Sequence, residues 1–323
     1  MLKRFIDVCA AEKIFDGLSS VLIAVSGGAD SLALAQLMIN SRRRFKLGIV
    51  IAHFEHGLRG KDSLDDAAFV KNFAEERGIK FIGGRGDVKN FAAENKISIE
   101  TAARILRYEF LSDVRRDLNF DAIALAHHAD DQAETILMRL LRGATSTGLS
   151  AMKFRTLSEH GLLIRPLLRF RKAELENFCR EKNLSPRLDA TNFEPDATRN
   201  RIRLELIPTL EKFNPALIAT LCRLGEVTAE ESDFIAAQAE KIFPAVISGN
   251  ALVRAEFLKL HPALQRVVIK KFLAQVTGSV KDFGFVHFEG VRKVLIHGSA
   301  GVELPKNLRA DLKKGRLYIT KNF

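Results

Sequence analysis

Short unbroken apolar runs alternate with amphipathic stretches along the first half of the chain. The runs are VLIAV (21–25), KLGIVIA (46–52), IKFIG (79–83) and DAIALA (121–126). Each has strand length and branched side chains, without the polar alternation of a half-exposed strand. The stretches near 31–43, 63–77 and 98–118 carry apolar residues at helical spacing. Apolar strands alternating with helices predict an α/β fold: a doubly wound parallel sheet covered by helices on both faces. Ligands of such sheets sit at the carboxyl ends of the strands. That points to the loops after residues 25, 52 and 126.

From about residue 171 the strand rhythm fades. RKAELENFCREKN reads as a helix, and Asn214-Pro215 precedes a helical pattern to about 243. Pro244 and the Ser-Gly-Asn at 248–250 read as a boundary. Helices follow near 254–277 and 283–297. LRADLKKGRLYIT then alternates around Lys-Lys-Gly as a hairpin does. The expected division is a catalytic domain over 1–215, a helical linker over 216–243 and a smaller α+β C-terminal domain over 244–323.

Composition narrows the classes. The chain has 323 residues, 47% of them hydrophobic, which suits a buried core rather than disorder. No apolar run approaches the ~20 residues of a membrane span. Charges come too early at the N-terminus for a signal peptide. A cytoplasmic protein without a membrane partner is expected. Cys9, Cys179 and Cys222 are odd in number and form no C-x-x-C pair, so neither a disulfide framework nor a cysteine metal site is indicated. The net charge of +11 implies an acidic partner, nucleic acid before membrane.

The chemistry concentrates at strand ends. The first strand runs into Ser26-Gly27-Gly28-Ala29-Asp30-Ser31, and an apolar helical pattern follows. Neither a Walker A nor a G-x-G-x-x-G motif is present. Two glycines let the backbone come close and turn its N–H groups outward, and the helix N-terminus adds roughly half a positive charge. Phosphate suits such a turn, with Ser26 and Ser31 adding hydroxyls. Asp30 beside an anion fits a magnesium ion, or else a helix cap. After the second strand stand His53, His56 and Arg59; the pair of histidines could bind metal, or the loop could simply cap the sheet. In IETAARILRYEF, Glu100, Arg104, Arg107 and Tyr108 share a helical face, which by pattern alone reads as solvated with a Glu100–Arg104 pair. AHHADDQAET crowds His127, His128, Asp130 and Asp131 at the fourth strand's end. Asp131 and Glu134 there have the spacing of a capping box.

The S-G-G-x-D-S loop resembles that of the N-type ATP pyrophosphatases, in which it grips departing pyrophosphate. The ordered series S-G-G-A-D-S, H-x-x-H-G-L-R, E-x-x-A-R-x-x-R-Y, H-H-A-D-D-Q-A-E-T, R-P-L-L (165–168), D-x-T-N (189–192) and R-N-x-x-R (199–203) closely resembles bacterial tRNA(Ile)-lysidine synthetases over residues 21–215. The segment after about 245 is similar, more loosely, to that family's first C-terminal domain. Two positions depart from the family pattern: Glu55, and Ala144-Thr145 in place of a more glycine-rich run.

The resemblance implies an adenine nucleotide α-hydrolase-like fold and an ATP-dependent ligase. The enzyme would adenylate C2 of the wobble cytidine in a CAU-anticodon tRNA(Ile) and displace AMP with free L-lysine. It implies catalytic roles for Asp30, Arg104, His127 and Asp131, with Asp131 as base. ATP would be bound by Ser26, Gly27, Gly28, Ala29, Asp30, Ser31, His53 and Arg59, with Mg²⁺ on Asp30 and Asp131. Arg199 and Arg203 are expected to contact tRNA, and so are Lys313, Lys314 and Arg316 at the C-terminal hairpin. The alternatives are a base-thiolating enzyme of the same superfamily, an adenylating enzyme for small molecules, and an RNA-binding module without turnover.

Overall fold

A computed structural model describes residues 1–58, 61–144, 146–187, 198–299 and 301–321; for 61–64 and 146–147 it describes the backbone alone. The chain divides into two compact units, Met1–Glu226 and Val227–Phe323.

The first unit is built on six strands: β1 (Ser20–Ala24), β2 (Gly48–Glu55), β3 (Phe81–Arg85), β4 (Ala122–Ala124), β5 (Arg155–Ser158) and β6 (Gly161–Ile164), in the order β3-β2-β1-β4-β6-β5. All pairings are parallel except β5 with β6. The order reverses between β1 and β4, and loops on either side of that switch point diverge to leave a crevice. Asp121 pins the entry of β4 to that of β1: its Oδ2 accepts the main-chain N–H groups of Ser19 (2.7 Å) and Ser20 (2.9 Å).

Helices α1 (Leu2–Ala11), α2 (Ala29–Phe45), α3 (Lys61–Glu75), α4 (Val88–Asn95), α5 (Ile99–Asp117), α6 (Ala129–Leu141), α7 (Ser146–Leu149) and α8 (Lys172–Glu181) precede, connect or follow the strands. Val21 and Ile23 point to one face of β1 and join a core with Leu34, Leu37 and Phe170. Leu22 points to the other face and packs with Tyr108, Leu111 and Val114 of α5. Both faces of the sheet are therefore covered, which is why its strands read as continuous apolar runs.

The sequence pattern does not show the β5–β6 hairpin. Its strands are four residues each, too short for periodicity to register, and Gly161 turns the chain at φ +98°. Nor does it show α4, which Asp87 caps by accepting the N–H of Asn90 at 3.1 Å.

Beyond α8 come α9 (Thr198–Arg201), a π-helical turn (Ile202–Leu206), α10 (Ile207–Glu211) and α11 (Leu217–Val246). Pro244 lies inside α11. Two residues from the helix end, it removes a single ladder bond and does not stop the helix.

In the second unit β7 (Ile247–Ser248) and β8 (Ala251–Val253) form a hairpin around Gly249. The expected helix over 254–277 is two, α12 (Arg254–Leu258) and α13 (Pro262–Thr277), because Pro262 occupies the first turn of a new helix. After α14 (Phe285–His297), β9 (Gly301–Leu304), β10 (Leu308–Lys313) and β11 (Arg316–Lys321) complete an antiparallel sheet in the order β7-β8-β11-β10-β9. Phe257, Phe272 and Leu317 lie in its core.

Candidate active site

The turn after β1 is held by its own backbone and by one hydroxyl. Gly27 takes φ +97°, a region that side chains with a Cβ rarely enter. Gly28 precedes α2 at φ −74° and offers that helix no side-chain cap, so N–H groups of the first helical turn are left for a ligand. Ser31 is buried. Its Oγ accepts the Ser26 N–H (3.1 Å) and donates to the Gly28 carbonyl (2.9 Å). Ser31 therefore braces the turn, although sequence reasoning offers it as a ligand donor. The Arg187 N–H donates to the Gly27 carbonyl at 3.0 Å.

His53, near the end of β2, is buried, with Nδ1 2.8 Å from the Val25 carbonyl. A carbonyl only accepts, so Nδ1 carries the proton. Burial lowers the pKa of the ring against the pull of that bond and of Asp66 and Glu55. His53 is thus a neutral strut between β1 and β2. His56 stands edge-on to Phe54 at 5.1 Å. Among the described residues no group of three or more His, Cys, Asp or Glu side chains is arranged as a metal site, so the two histidines do not form a metal centre with acidic neighbours. Glu55 is buried, with one carboxylate oxygen 2.8 Å from Arg85 Nε and the other accepting the Gly57 N–H at 2.7 Å. Arg59 lies outside the described residues.

The turn after β4 is the electrostatic centre. His128 is the N-cap of α6, and its main-chain N–H donates to Asp131 Oδ2 at 3.0 Å. The capping geometry therefore differs from the sequence reading: Asp131 lies one turn inside the helix, not at its cap. The His128 ring, 3% exposed, has Nε2 3.5 Å from Asp30 and from Asp131 and Nδ1 3.5 Å from Asp130. At that length these are charge contacts more than hydrogen bonds. Burial pushes the ring's pKa down, but the three carboxylates outweigh it and raise it to about 10. His128 is an imidazolium tying Asp30 of the first loop to the turn after β4.

Its neighbour is the opposite. Burial, reinforced by the charges of Arg165, Arg107 and Arg199 against that of Asp131, lowers His127 to about 4. Asp130 is turned away from the cleft chemistry: its carboxylate accepts from the Lys172 N–H (2.8 Å) and Arg171 Nε (3.1 Å), fixing the start of α8.

Asp131 and Glu134 receive two arginines. Glu134, 1% exposed, accepts from Arg199 Nε (2.8 Å) and from Arg203 Nε (2.6 Å) and Nη2 (3.0 Å). The same two guanidinium groups lie 3.5 and 3.6 Å from Asp131. Burial works to raise the Asp131 pKa, but the histidine and arginine charges hold it below the usual carboxylate range. Sequence reasoning assigns Arg199 and Arg203 to tRNA and Glu134 to a cap; the structure gathers all three beside Asp131.

On α5, Tyr108 is buried, and the guanidinium carbons of Arg104 and Arg107 lie 4.9 and 5.4 Å from its ring centroid. The face is not simply solvated: Arg104 is turned onto the Tyr108 ring rather than towards Glu100. Arg165, of R-P-L-L, is buried, and the motif alone gives it no role. The D-x-T-N segment lies outside the described residues.

These elements surround a cleft of about 800 Å³, lined by Ser26, Gly28, Asp30, His53, Arg107, His127 and Arg203 among others. That volume is in the range of small-ligand sites. Lys313, Lys314 and Arg316 are in the second unit, exposed at the tip of the β10–β11 hairpin, where Lys314 and Gly315 both take positive φ in a two-residue turn.

A parallel sheet with this glycine turn at its switch point is the architecture of PP-loop proteins, and a model of the PP-loop domain matches residues 3–210. Among curated proteins, the tRNA(Ile)-lysidine synthase of Clostridium perfringens is 36% identical over 90% of this chain and 62% of its own length. That of Geobacillus kaustophilus is 37% identical over 94% and 67%, and that of Caldanaerobacter subterraneus 30% over 99% and 69%. The chain thus spans about two thirds of the relatives it matches. It belongs to the PP-loop family and, within that, to the family of the tRNA(Ile)-lysidine synthases. Among solved structures, a U34-tRNA thiolase from Methanococcus maripaludis superposes with a TM-score of 0.57 at 19% identity, covering 71% of this chain and 80% of that one; the likeness extends to the fold.

Proposed function

We propose that the chain ligates free L-lysine to C2 of the wobble cytidine of a CAU-anticodon tRNA(Ile), using ATP. The observation that carries this reading is that His128 joins Asp30 of the S-G-G-A-D-S turn to Asp131 of the carboxylate–arginine cluster after β4, whose Arg203 lines the same cleft as the turn. The names of the relatives supply the substrate class.

The chemistry needs both halves. A ring carbonyl is a poor electrophile; when its oxygen attacks the α-phosphate and pyrophosphate leaves, that oxygen becomes part of a leaving group. The N–H groups at the start of α2 take up charge that builds on pyrophosphate. Lysine nitrogen then attacks C2 and AMP departs. Asp131 is the acceptor for the proton the amine sheds. It is a weak base, held ionised by its neighbours, so its charge first draws in the ammonium. Proton transfer completes as the C–N bond makes that nitrogen acidic. Glu134 keeps Arg199 and Arg203 in place around it. The target base must be splayed from the anticodon loop, as single-stranded RNA permits.

Magnesium fits the residues present. Asp30 Oδ1 is buried without a hydrogen-bond partner, and Asp131 approaches the same histidine. One or two carboxylates with phosphate oxygens are the usual Mg²⁺ environment. Asp30 and Asp131 would hold the ion, which supplies charge neutralisation to the phosphates when bound.

Pyrophosphate release with tRNA(Ile) transcript, with and without lysine, tests the proposal. Sustained release over many turnovers that requires both substrates, absent with methionine tRNA of the same anticodon, is expected, with at most one equivalent per enzyme when lysine is left out. Sustained release independent of lysine, or transfer of sulfur instead, would overturn it. No paired cysteines favour the thiolating alternative: Cys9, Cys179 and Cys222 are all free thiols, and Cys179 Sγ faces the Ala29 carbonyl.

A further inference from the structure

The arginines beside Asp131 and Glu134 sit on a helix whose hydrogen bonding changes where it passes them. α9 runs directly into the π-helical turn and on into α10. The Ile207 N–H donates to the Ile202 carbonyl, five residues back instead of four. One extra residue is thereby stored in a single turn. Arg203 and Leu204, both within that turn, line the cleft.

The extra residue decides which side chains share a face. At ~100° per residue, positions five apart on a regular helix point about 140° away from one another. Ile202 and Ile207 are five apart, yet both are buried in one core with Ala133 and Ile136 of α6. The eight positions from Arg203 to Glu211 would overshoot two regular turns by about 80°. Yet Arg203 reaches Glu134 of α6, and Glu211 lies 3.3 Å from Arg171, whose guanidinium also meets Asp130 of α6. Storing one residue in the π turn removes roughly 100° and brings both pairs back to within about 40° of a common face.

Pro208 supplies the cause. It stands in the first turn of α10. It has no N–H to give to the Leu204 carbonyl, and its ring would strike that carbonyl in a regular α-helix. A wider preceding turn lifts the carbonyl clear. The helix beyond the turn is held by Ile207 and the Glu211–Arg171 bridge, and leads on to Ile218 and Leu221 in the same core. The helix before it is held by Ile202 and the two arginines. A regular helix keeps one of these halves in register and not both. The better anchored half stays, and Arg203 turns away from Glu134.

We propose that Pro208 is a positioning residue for the ligation: it forces the π-helical turn that aims Arg203 at Glu134 and Asp131. The effect on turnover rests on the reading of that cluster as the catalytic centre; the geometry does not.

The test is Pro208→Ala, which restores an N–H and removes the ring, so that the turn can close as an α-helix. Urea unfolding is measured for the wild type, Pro208→Ala, Glu134→Gln and the double variant. If Arg203 has turned away and Arg199 remains, Glu134→Gln has less to break. Its midpoint shift should then shrink to about half in the Pro208→Ala chain. In sustained pyrophosphate release with tRNA(Ile) and lysine, Pro208→Ala should lower kcat by roughly 10-fold or more and leave the KM for ATP within about twofold. Additive midpoint shifts overturn the positioning. A Pro208→Ala chain that fails to fold overturns it too, because the proline would then support the helix rather than bend it. An unchanged kcat, or a KM for ATP raised at normal kcat, overturns the link to turnover. If the wild type shows no release with both substrates, the reading of the function falls and the link to turnover with it. The unfolding cycle needs no substrate, so that failure is told apart from a failure of the positioning.

Discussion

Asp131 accepts the main-chain N–H of His128 while its other oxygen faces Arg199 and Arg203 at 3.5 and 3.6 Å. One carboxylate therefore does two jobs that can be separated. An asparagine still accepts the N–H, so helix α6 keeps its start, but the negative charge is gone. Asp131→Asn is expected to lower turnover by about 100-fold or more and stability by no more than about 1–2 kcal/mol. Pyrophosphate release and urea unfolding measure the two; a near-normal rate would return Asp131 to a purely structural role.

Glu134 is the counter-charge of two guanidinium groups. Breaking a fully buried ion pair costs ~3–5 kcal/mol, but Arg199 and Arg203 are 36% and 25% exposed, and solvent screens them. Glu134→Gln is expected to cost about 1–3 kcal/mol. It should also reduce turnover, since both arginines lose their anchor. An unchanged denaturant midpoint would show that the pair contributes nothing to stability.

The two loop glycines differ in what they need. Gly27 has φ +97°, so Gly27→Ala is strained whatever the space around it, at about 1–2 kcal/mol or more. Gly28 has an ordinary φ of −74°, and an added Cβ would meet only Ser26 Oγ at 3.7 Å. Gly28→Ala should fold normally and still raise the KM for ATP, because the methyl group stands where phosphate approaches. Thermal unfolding and nucleotide kinetics on the pair distinguish these outcomes; equal stability of both variants would refute the strain argument.

The adjacent histidines give opposite pH slopes. The raised pKa of His128, about 10 against the ordinary 6.5, means that its contribution is complete below pH 6.5 and is lost as pH rises towards 10. The depressed pKa of His127, about 4, means that its contribution is present above pH 6.5 and is lost as pH falls towards 4. Urea midpoints across the range between those two values should show both limbs. His128→Gln should flatten the alkaline limb alone.

Lys313, Lys314 and Arg316 project from one hairpin tip, where cations are suited to phosphate contact. Replacing all three with serine is expected to weaken tRNA affinity equally for isoleucine and methionine tRNAs. The salt slope should fall by somewhat under one unit for each phosphate released. An unchanged slope would leave these residues the role of guarding a sheet edge.

The parallel sheet was legible because its central strands are buried on both faces and so lack alternation; Leu22 and Ile23 both read as core, and both are. The glycine turn was legible because strand, motif and helix coincide at 25–31. The Glu134–Arg199–Arg203 cluster was not. Glu134 and Arg199 lie 65 positions apart in sequence, and Asp131 and Glu134 have the spacing of an ordinary cap. Nothing local marked Glu134 as a carboxylate buried almost completely. Arg165 and Arg107 were hidden for a different reason: an arginine on an amphipathic helix or after a strand is usually solvated, and only packing shows that these are not.

The clamp between Asp121 and Ser20 joins positions 101 apart in the chain. Because β4 inserts beside β1 and not beside β3, the first loop waits for residues made much later. Loop closure on that scale precedes any reward from the contacts it creates. Asp30 therefore meets His128 only once β4 has docked beside β1, and a chain halted before β4 would carry the glycine turn on a half-sheet with an open edge. On a ribosome, that edge would be the moment of greatest exposure to wrong pairing.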